Sequence, residues 1–370
     1  MTHNNRIIEA IKNKILAEYK DDVSLLVLYN YQEDSDKNIG LDFYFIPKTE
    51  KAYPLSTQFI VDGISYDLFP MNWDRLVKIA AMDSPQAYLF LSAKVIYSSD
   101  EQALLRFNKY TSDLENVLSG DYDEAMLNKS YEYFNETYIY LYNMLHYCKR
   151  SIDTKLESSK VLDQIANALA FANSTYYNGG HGSAKSIIES SFSLEKLPLN
   201  YEELVRKIIF SNDMEEIFVA TNELINNTRL FLHGQKELTA QPEPFETFFI
   251  GYYEELKSII NRFIIAANNK DYIKLFSLAA YIHEELSQFM MKVESGLWYN
   301  DRNVYSEYSK IFDDCFNIDF FQLINDKNDE AIINGMVEFE NKFVALLTKN
   351  NINLLSFDSL EAFEDYFQNK

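Results

Sequence analysis

An α+β domain at the N-terminus followed by all-helical domains is the fold that this 370-residue chain predicts, and three observations carry it. Apolar runs rich in β-formers fall within the first hundred or so residues, whereas beyond Leu118-Ser119-Gly120-Asp121 apolar residues recur at i, i+3, i+4 to the end. Punctuation is sparse, at 10 Gly and 7 Pro, which favours long helices over a turn-rich all-β fold. Apolar residues make up 47% of the chain, with 27 Phe and 27 Tyr, enough to fill more than one interior at this length.

The elements follow in order. Ile7, Ile8, Ile11, Ile15 and Leu16 recur at helical spacing and predict a first helix over 5–19, broken by Asp21-Asp22. Val23 to Tyr29 is an apolar run of β-formers, a buried strand, and Leu41 to Ile46 is a second strand ended by Pro47. Gln58–Val61 and Ser65–Phe69, joined across Asp62-Gly63, predict a hairpin, because Asp-Gly between apolar runs suits a tight two-residue turn. Trp73 to Met82 is a short helix with Asn72 as cap, Ala93–Tyr97 a further strand, and the next helix covers about 100–117. The helical remainder turns near 150, 178–183, 196–200, 211–213, 234–246, 268–271 and 325–330. Within it, Tyr272, Leu275, Phe276, Ala279, Ile282, Leu286, Phe289 and Met290 form one apolar stripe, and Asp358 with Glu361 three residues on predicts the cap of a last helix. Gln241-Pro242-Glu243-Pro244 is the best linker, so the expected domains are 1–118, 119–240 and 241–370.

Charge narrows the partners. The net charge is −22, and it is uneven: residues 1–120 hold 12 basic and 17 acidic side chains, residues 121–370 hold 22 and 39. Nucleic-acid binding rests on clustered Lys and Arg that neutralise phosphates, so a nucleic-acid partner is disfavoured. No stretch approaches the ~18 apolar residues of a membrane span, and no apolar signal core opens the chain, so the expectation is a cytoplasmic protein without a membrane partner. Cys148 and Cys315, 167 positions apart, offer neither a disulfide framework nor a zinc spacing, and are expected to be buried thiols.

One constellation carries chemistry. Residues 23–82 read strand, loop, strand with Gly40-Leu41-Asp42, hairpin with Asp67, and helix with Trp73. In this order, and in the phrases Asp42-Phe43-Tyr44-Phe45-Ile46-Pro47-Lys48-Thr49 and Phe59-Ile60-Val61-Asp62-Gly63-Ile64-Ser65-Tyr66-Asp67, the segment resembles the polymerase-β-like nucleotidyltransferase core. It is most similar to the bacterial group around kanamycin (aminoglycoside) nucleotidyltransferase, and the likeness covers about a quarter of the chain. The resemblance implies a mixed-sheet N-terminal domain with a helical C-terminal part. It also implies a Gly-Ser turn after the first strand, an Asp-x-Asp/Glu on the second and a third acid on a neighbouring strand. On a strand, residues i and i+2 share a face, so such a pair aims two carboxylates at one point. With the nucleotide's phosphates they hold Mg2+, and a third acid admits a second metal.

This sequence departs from the pattern where the chemistry is. Gly40 stands where the first Asp belongs and Ile39 where the Ser usually precedes it. The turn falls at Leu28-Tyr29-Asn30, with no glycine. Asp42 and Asp67 remain as the catalytic and metal-binding candidates, and Tyr29 and Asn30 occupy the nucleotide-binding positions. The favoured expectation is therefore a catalytically degenerate nucleotidyltransferase-like protein that binds a nucleotide or small molecule. The alternative is an active Mg2+-dependent enzyme that moves a nucleoside monophosphate from an NTP to a small hydroxylated, aminoglycoside-like acceptor. Its missing ligand would then come from Asp34 or Asp36 in the loop. A structural or toxin–antitoxin-type interaction protein, favoured if the helical part forms a homodimer, is the third reading.

A second pattern is weaker. Gly179-Gly180-His181-Gly182-Ser183-Ala184-Lys185-Ser186 lies one residue from a phosphate-binding P-loop, but it follows helical residues 162–171 rather than a strand. A helix C-cap at Gly179-Gly180 and a new helix from Ser183 is the expectation there.

Overall fold

The computed structural model describes residues 3–29, 41–82, 86–119, 124–177, 186–238, 240–297, 305–357 and 359–369. Two units divide the chain, Met1–Gln235 and Lys236–Lys370.

In the first unit, α1 (His3–Lys14) runs into a π-helical turn at Ile15–Tyr19. The sheet comprises β1 (Val23–Tyr29), β2 (Asp42–Pro47), β3 (Thr57–Val61), β4 (Ile64–Pro70) and β5 (Lys94–Ser98), in the order β3-β4-β2-β1-β5. It is mixed: β2 and β4 run parallel, while β1–β2, β1–β5 and β3–β4 are antiparallel. Strand β1 lies inside the sheet and is covered on both faces, which is why its sequence is a nearly continuous apolar run. On β2 the period of two sorts the side chains. Phe43 and Phe45 join Ile11 and Ile15 on the α1 face; Tyr44 and Ile46 join the opposite core.

That opposite face is covered by α2 (Trp73–Ala80), α3 (Tyr88–Leu91) and α4 (Glu101–Ser119), through Leu76, Ile79, Phe90 and Phe107. Asn72 caps α2 as expected, accepting from the Arg75 N–H at 2.9 Å. The β3–β4 turn is the expected Asp-Gly turn, with φ of 51° at Asp62 and 79° at Gly63. Two short elements escaped the sequence reading, α3 and a 3₁₀ turn at Glu50–Leu55, since four to six residues carry too little periodicity to register.

The helical half of this unit is an antiparallel hairpin, α5 (Glu124–His146) and α6 (Ser151–Ala172), joined by α7 (Ile187–Ser191), α8 (Tyr201–Phe210) and α9 (Met214–Glu237). The hairpin register is pinned by Ser130 Oγ donating to the Ala168 carbonyl (2.7 Å) and Asn143 Nδ2 to Glu157 (3.0 Å). It does not stand apart from the sheet. Met126 and Phe171 enter the sheet's own core, and Tyr133 stacks on Phe171 with centroids 5.2 Å apart. The expected cap at Gly179-Gly180 is not where α6 ends; the helix stops at Ala172, because Ser174 turns left-handed at φ 48°. Residues 178–185 lie outside the described residues, and α7 begins at Ile187 rather than Ser183, capped by Ser186.

The second unit holds α10 (Phe245–Phe249), α11 (Tyr252–Asn268), α12 (Tyr272–Ser295), α13 (Tyr305–Phe316), α14 (Phe320–Asn325), α15 (Asp329–Lys349) and α16 (Leu360–Asn369). Its core is a phenylalanine cluster centred on Phe339, whose ring lies 5.1–6.1 Å from those of Phe312, Phe316, Phe320 and Phe343. The α12 stripe buries Leu275, Ala279, Ile282, Leu286 and Met290, but Phe276 is 58% exposed, one position past the stripe and about 100° round the helix. The last helix starts at Leu360 with Ser359 as its cap; Asp358 lies outside the described residues. Among the described residues no strand follows Ser98, as the helical period requires. Cys148 and Cys315 are half-buried free thiols rather than fully enclosed ones, and burial pushes both up from the usual thiol range.

Phe339 is fully buried, so Phe339→Ala is expected to cost about 3–5 kcal/mol in denaturant unfolding followed by circular dichroism.

Candidate functional site

The sheet's register builds the site. In the parallel pair, Asp42 of β2 stands directly beside Asp67 of β4, and Tyr29 of β1 stands across from Asp42 on the other side. Gln58 of β3 extends the row beyond Asp67. Residues level with one another on neighbouring strands point to the same face, so these four side chains form one row. The row belongs to the Tyr44 face. Asp42 shares that face with Tyr44, and Asp67 with Phe69, whereas Phe43 and Leu68 enter the α1-side core. Both carboxylates are half-buried. Neighbouring strands are about 4.8 Å apart, so two carboxylates level on adjacent strands can reach one ion.

An aromatic floor joins Tyr29 of the row to Tyr44 and Phe69, which lie two positions in along β2 and β4. Tyr29, Tyr44 and Phe69 meet pairwise at centroid distances of 5.8, 5.9 and 6.2 Å, with Tyr29 edge-on to Phe69. Tyr44 is fully buried, and burial pushes its phenol well above the usual range, so the hydroxyl stays protonated and donates to the Leu89 carbonyl at 2.7 Å. This bond ties α3 to the strand that carries Asp42.

Ser99 N donates to the Ser24 carbonyl at 3.0 Å, so α4 starts beside the beginning of β1, opposite the end that carries Tyr29. Its 19 residues, about 28 Å of helix, cover the Tyr44 face, burying Ala103, Phe107 and Leu114 in its core, and Tyr110 meets Trp73 of α2 with centroids 6.2 Å apart. Met126 and Phe171 of the α5–α6 hairpin belong to the same core.

No known protein family matches the chain, and no curated protein is similar to it at a significant level. Among solved structures it is similar to that of a nucleotidyltransferase-like protein from Exiguobacterium sibiricum. The TM-score is 0.39 and the identity 10%, over 75% of this chain and 91% of that one.

Of the sequence-predicted residues, the strand register brings Tyr29, Asp42 and Asp67 together. The Tyr29 ring is committed to the aromatic floor. Asn30, Gly40, Asp34 and Asp36 lie outside the described residues. Asp42 and Asp67 are the residues that would hold a magnesium ion, which binds through one or two carboxylates, retained waters and substrate phosphates. Among the described residues there is no group of three or more His, Cys, Asp or Glu side chains placed to hold a metal. Gln58 and the Tyr44–Leu89 bond were not foreseen. Gln58 was detectable as the residue opposite Asp67 once the hairpin turn was read at Asp62-Gly63; the Leu89 contact spans 45 residues and left no local signal.

Two like charges level on adjacent strands repel. Asp67→Asn is expected to stabilise the protein by about 1 kcal/mol in metal-free buffer, read as a thermal midpoint about 2–4 °C higher. A lower midpoint in that variant would show that the carboxylate is structural.

Proposed function

We propose that the N-terminal domain is a nucleotidyltransferase-like fold that has lost transferase activity and retains a binding role for a nucleotide or small molecule. The level placement of Asp42 and Asp67 on a parallel strand pair carries this reading, since it supplies half of a metal-dependent phosphate site. The sequence supplies the reason for inactivity. Gly40 offers no carboxylate where the first of the paired acids belongs, and residues 28–30 offer no glycine turn to let backbone N–H groups approach a triphosphate. Magnesium held by Asp42 and Asp67 would neutralise phosphate charge, but two-metal transfer needs a further ligand and a gripped triphosphate.

Thermal midpoints measured with each of the four NTPs, with and without magnesium, test the binding role, since a ligand of the native state raises the midpoint. A rise with Mg2+ and at least one NTP is expected in the wild type and not in Asp42→Ala. Transfer to aminoglycosides or simple alcohols is expected to be undetectable, and Gly40→Asp should tighten metal binding without creating turnover. Robust wild-type turnover that disappears in Asp42→Ala would establish the active alternative. A stable homodimer with no nucleotide response would favour the interaction-protein reading.

A further inference from the structure

The α5–α6 hairpin has an inward and an outward face. Phe134 and Met144 of α5, with Val161 and Ile165 of α6, enter one helical core. The seam between the helices is tied by the Asn143–Glu157 bond and by Lys160 Nζ, 5.5 Å from the ring centre of Tyr140. Since both helices turn one side to the same core, their opposite sides look outward together. An outward face of this kind is ordinarily polar. This one is not. Ile139, Tyr142, Tyr147, Ile152 and Leu156 are each 52–65% exposed. Ile139 precedes Tyr142 by three positions on α5, and Ile152 precedes Leu156 by four on α6, so each helix carries a stripe. At the tip of the hairpin the Tyr142 ring lies 4.3 Å from that of His146 and 5.9 Å from that of Tyr147.

Five large side chains at this exposure present roughly 500 Å² of mainly apolar surface. That is near the upper end of what a monomer leaves open in one patch, about 300–600 Å². It also matches the apolar share of a standard interface, which covers about 800 Å² on each partner and is a little over half apolar.

The charge pattern says what covers it. Along the exposed side of α5 the order is acidic, apolar, basic: Glu132 and Glu136, then Ile139 and Tyr142, then His146, with Lys149 and Arg150 just past the helix end. The order is symmetric about its middle. Seven positions separate Glu132 from Ile139, and seven separate Tyr142 from Lys149. Two copies laid antiparallel about a two-fold axis between Ile139 and Tyr142 therefore set Ile139 of each against Tyr142 of the other. The same operation sets the acidic end of each copy against the basic tip of the other. Glu132 and Arg150 hold the exposed intrachain partners Lys129 and Asp153, pairs weak enough to be shared. Residues 129–160 carry five basic and four acidic side chains, so this face is near neutral in a chain of net charge −22.

We infer that this face is the interface of a symmetric homodimer, in which a second copy of the chain docks antiparallel on the α5–α6 hairpin, Ile139 against Tyr142, with Glu132 and Glu136 facing Lys149 and Arg150. The inference does not rest on the Asp42–Asp67 row, and a nucleotide response there neither supports nor opposes it.

Sedimentation equilibrium of the full chain tests it. The wild type is expected at twice the chain mass at micromolar concentration. Tyr142→Asp and Leu156→Asp are expected to be monomers with near wild-type circular dichroism, because both positions are exposed. The charged ends give a sharper test, which decides the matter even if Tyr142→Asp fails to fold. Glu132→Lys/Glu136→Lys and Lys149→Glu each set like charges opposite and should weaken self-association about tenfold or more. An equimolar mixture of those two variants should recover a heterodimer, since every cross-contact then joins opposite charges. A wild type that stays monomeric up to its highest soluble concentration overturns the inference. So does a dimer indifferent to Tyr142→Asp and to both charge reversals, or a mixture that fails to recover. A monomer that binds anionic lipid vesicles through Tyr142 overturns it in favour of a membrane-docking face.

Discussion

The parallel pairing of β2 with β4, held at the register that sets Asp42 beside Asp67, is the constraint on which the rest of the first unit depends. A parallel pair cannot be closed by a tight turn, so the chain must leave β2, travel and return. It does so through the 3₁₀ turn at Glu50–Leu55 and the edge strand β3, then enters β4 through the left-handed Asp62-Gly63 turn. A slip of one residue in this pairing would send Asp67 into the α1-side core and Leu68 into the row. The apolar alternation of both strands resists that slip, because Phe43 and Leu68 bury on one face while Tyr44 and Phe69 pack on the other.

The same register makes a site out of a sheet end. Tyr29, Tyr44 and Phe69 fill the space beneath the carboxylates, and the Tyr44 hydroxyl anchors α3 through Leu89. Both carboxylates are half-buried, a setting in which charges interact more strongly than they do in bulk solvent. The α5–α6 hairpin packs on the sheet by inserting Phe171 into its core, where Tyr133 stacks on the ring.

The second unit follows different physics. Its core is dominated by phenylalanine rings in edge-on, tilted and stacked contact, and its polar ties are phenol–carboxylate pairs. Tyr252 donates to Glu285 at 2.6 Å and Tyr253 to Glu340 at 2.7 Å. In both pairs burial is the first cause that pushes the phenol up and the carboxylate the second, with Tyr253 reaching about 12. These phenols remain donors throughout the physiological range, which suits a structural role.

Local chemistry alone determined most of the element order. The β-former runs at Val23–Tyr29 and Asp42–Pro47, the Asp-Gly turn, the Asn72 cap and the unbroken helical period after residue 121 all operate within a few residues, and all are visible in the structure. Asp42 and Asp67 were singled out because strand and hairpin signals bracket them. Sequence could not choose Leu89 as the partner of Tyr44, bring Phe171 of the α5–α6 hairpin into the sheet's core, or tell that the oxygens of Gln164 and Asn167 are buried without a hydrogen-bond partner among the described residues. Each of these depends on which strand or helix lies alongside, across separations of tens of residues. An amphipathic pattern specifies that a face is buried, and only the packed fold decides against what.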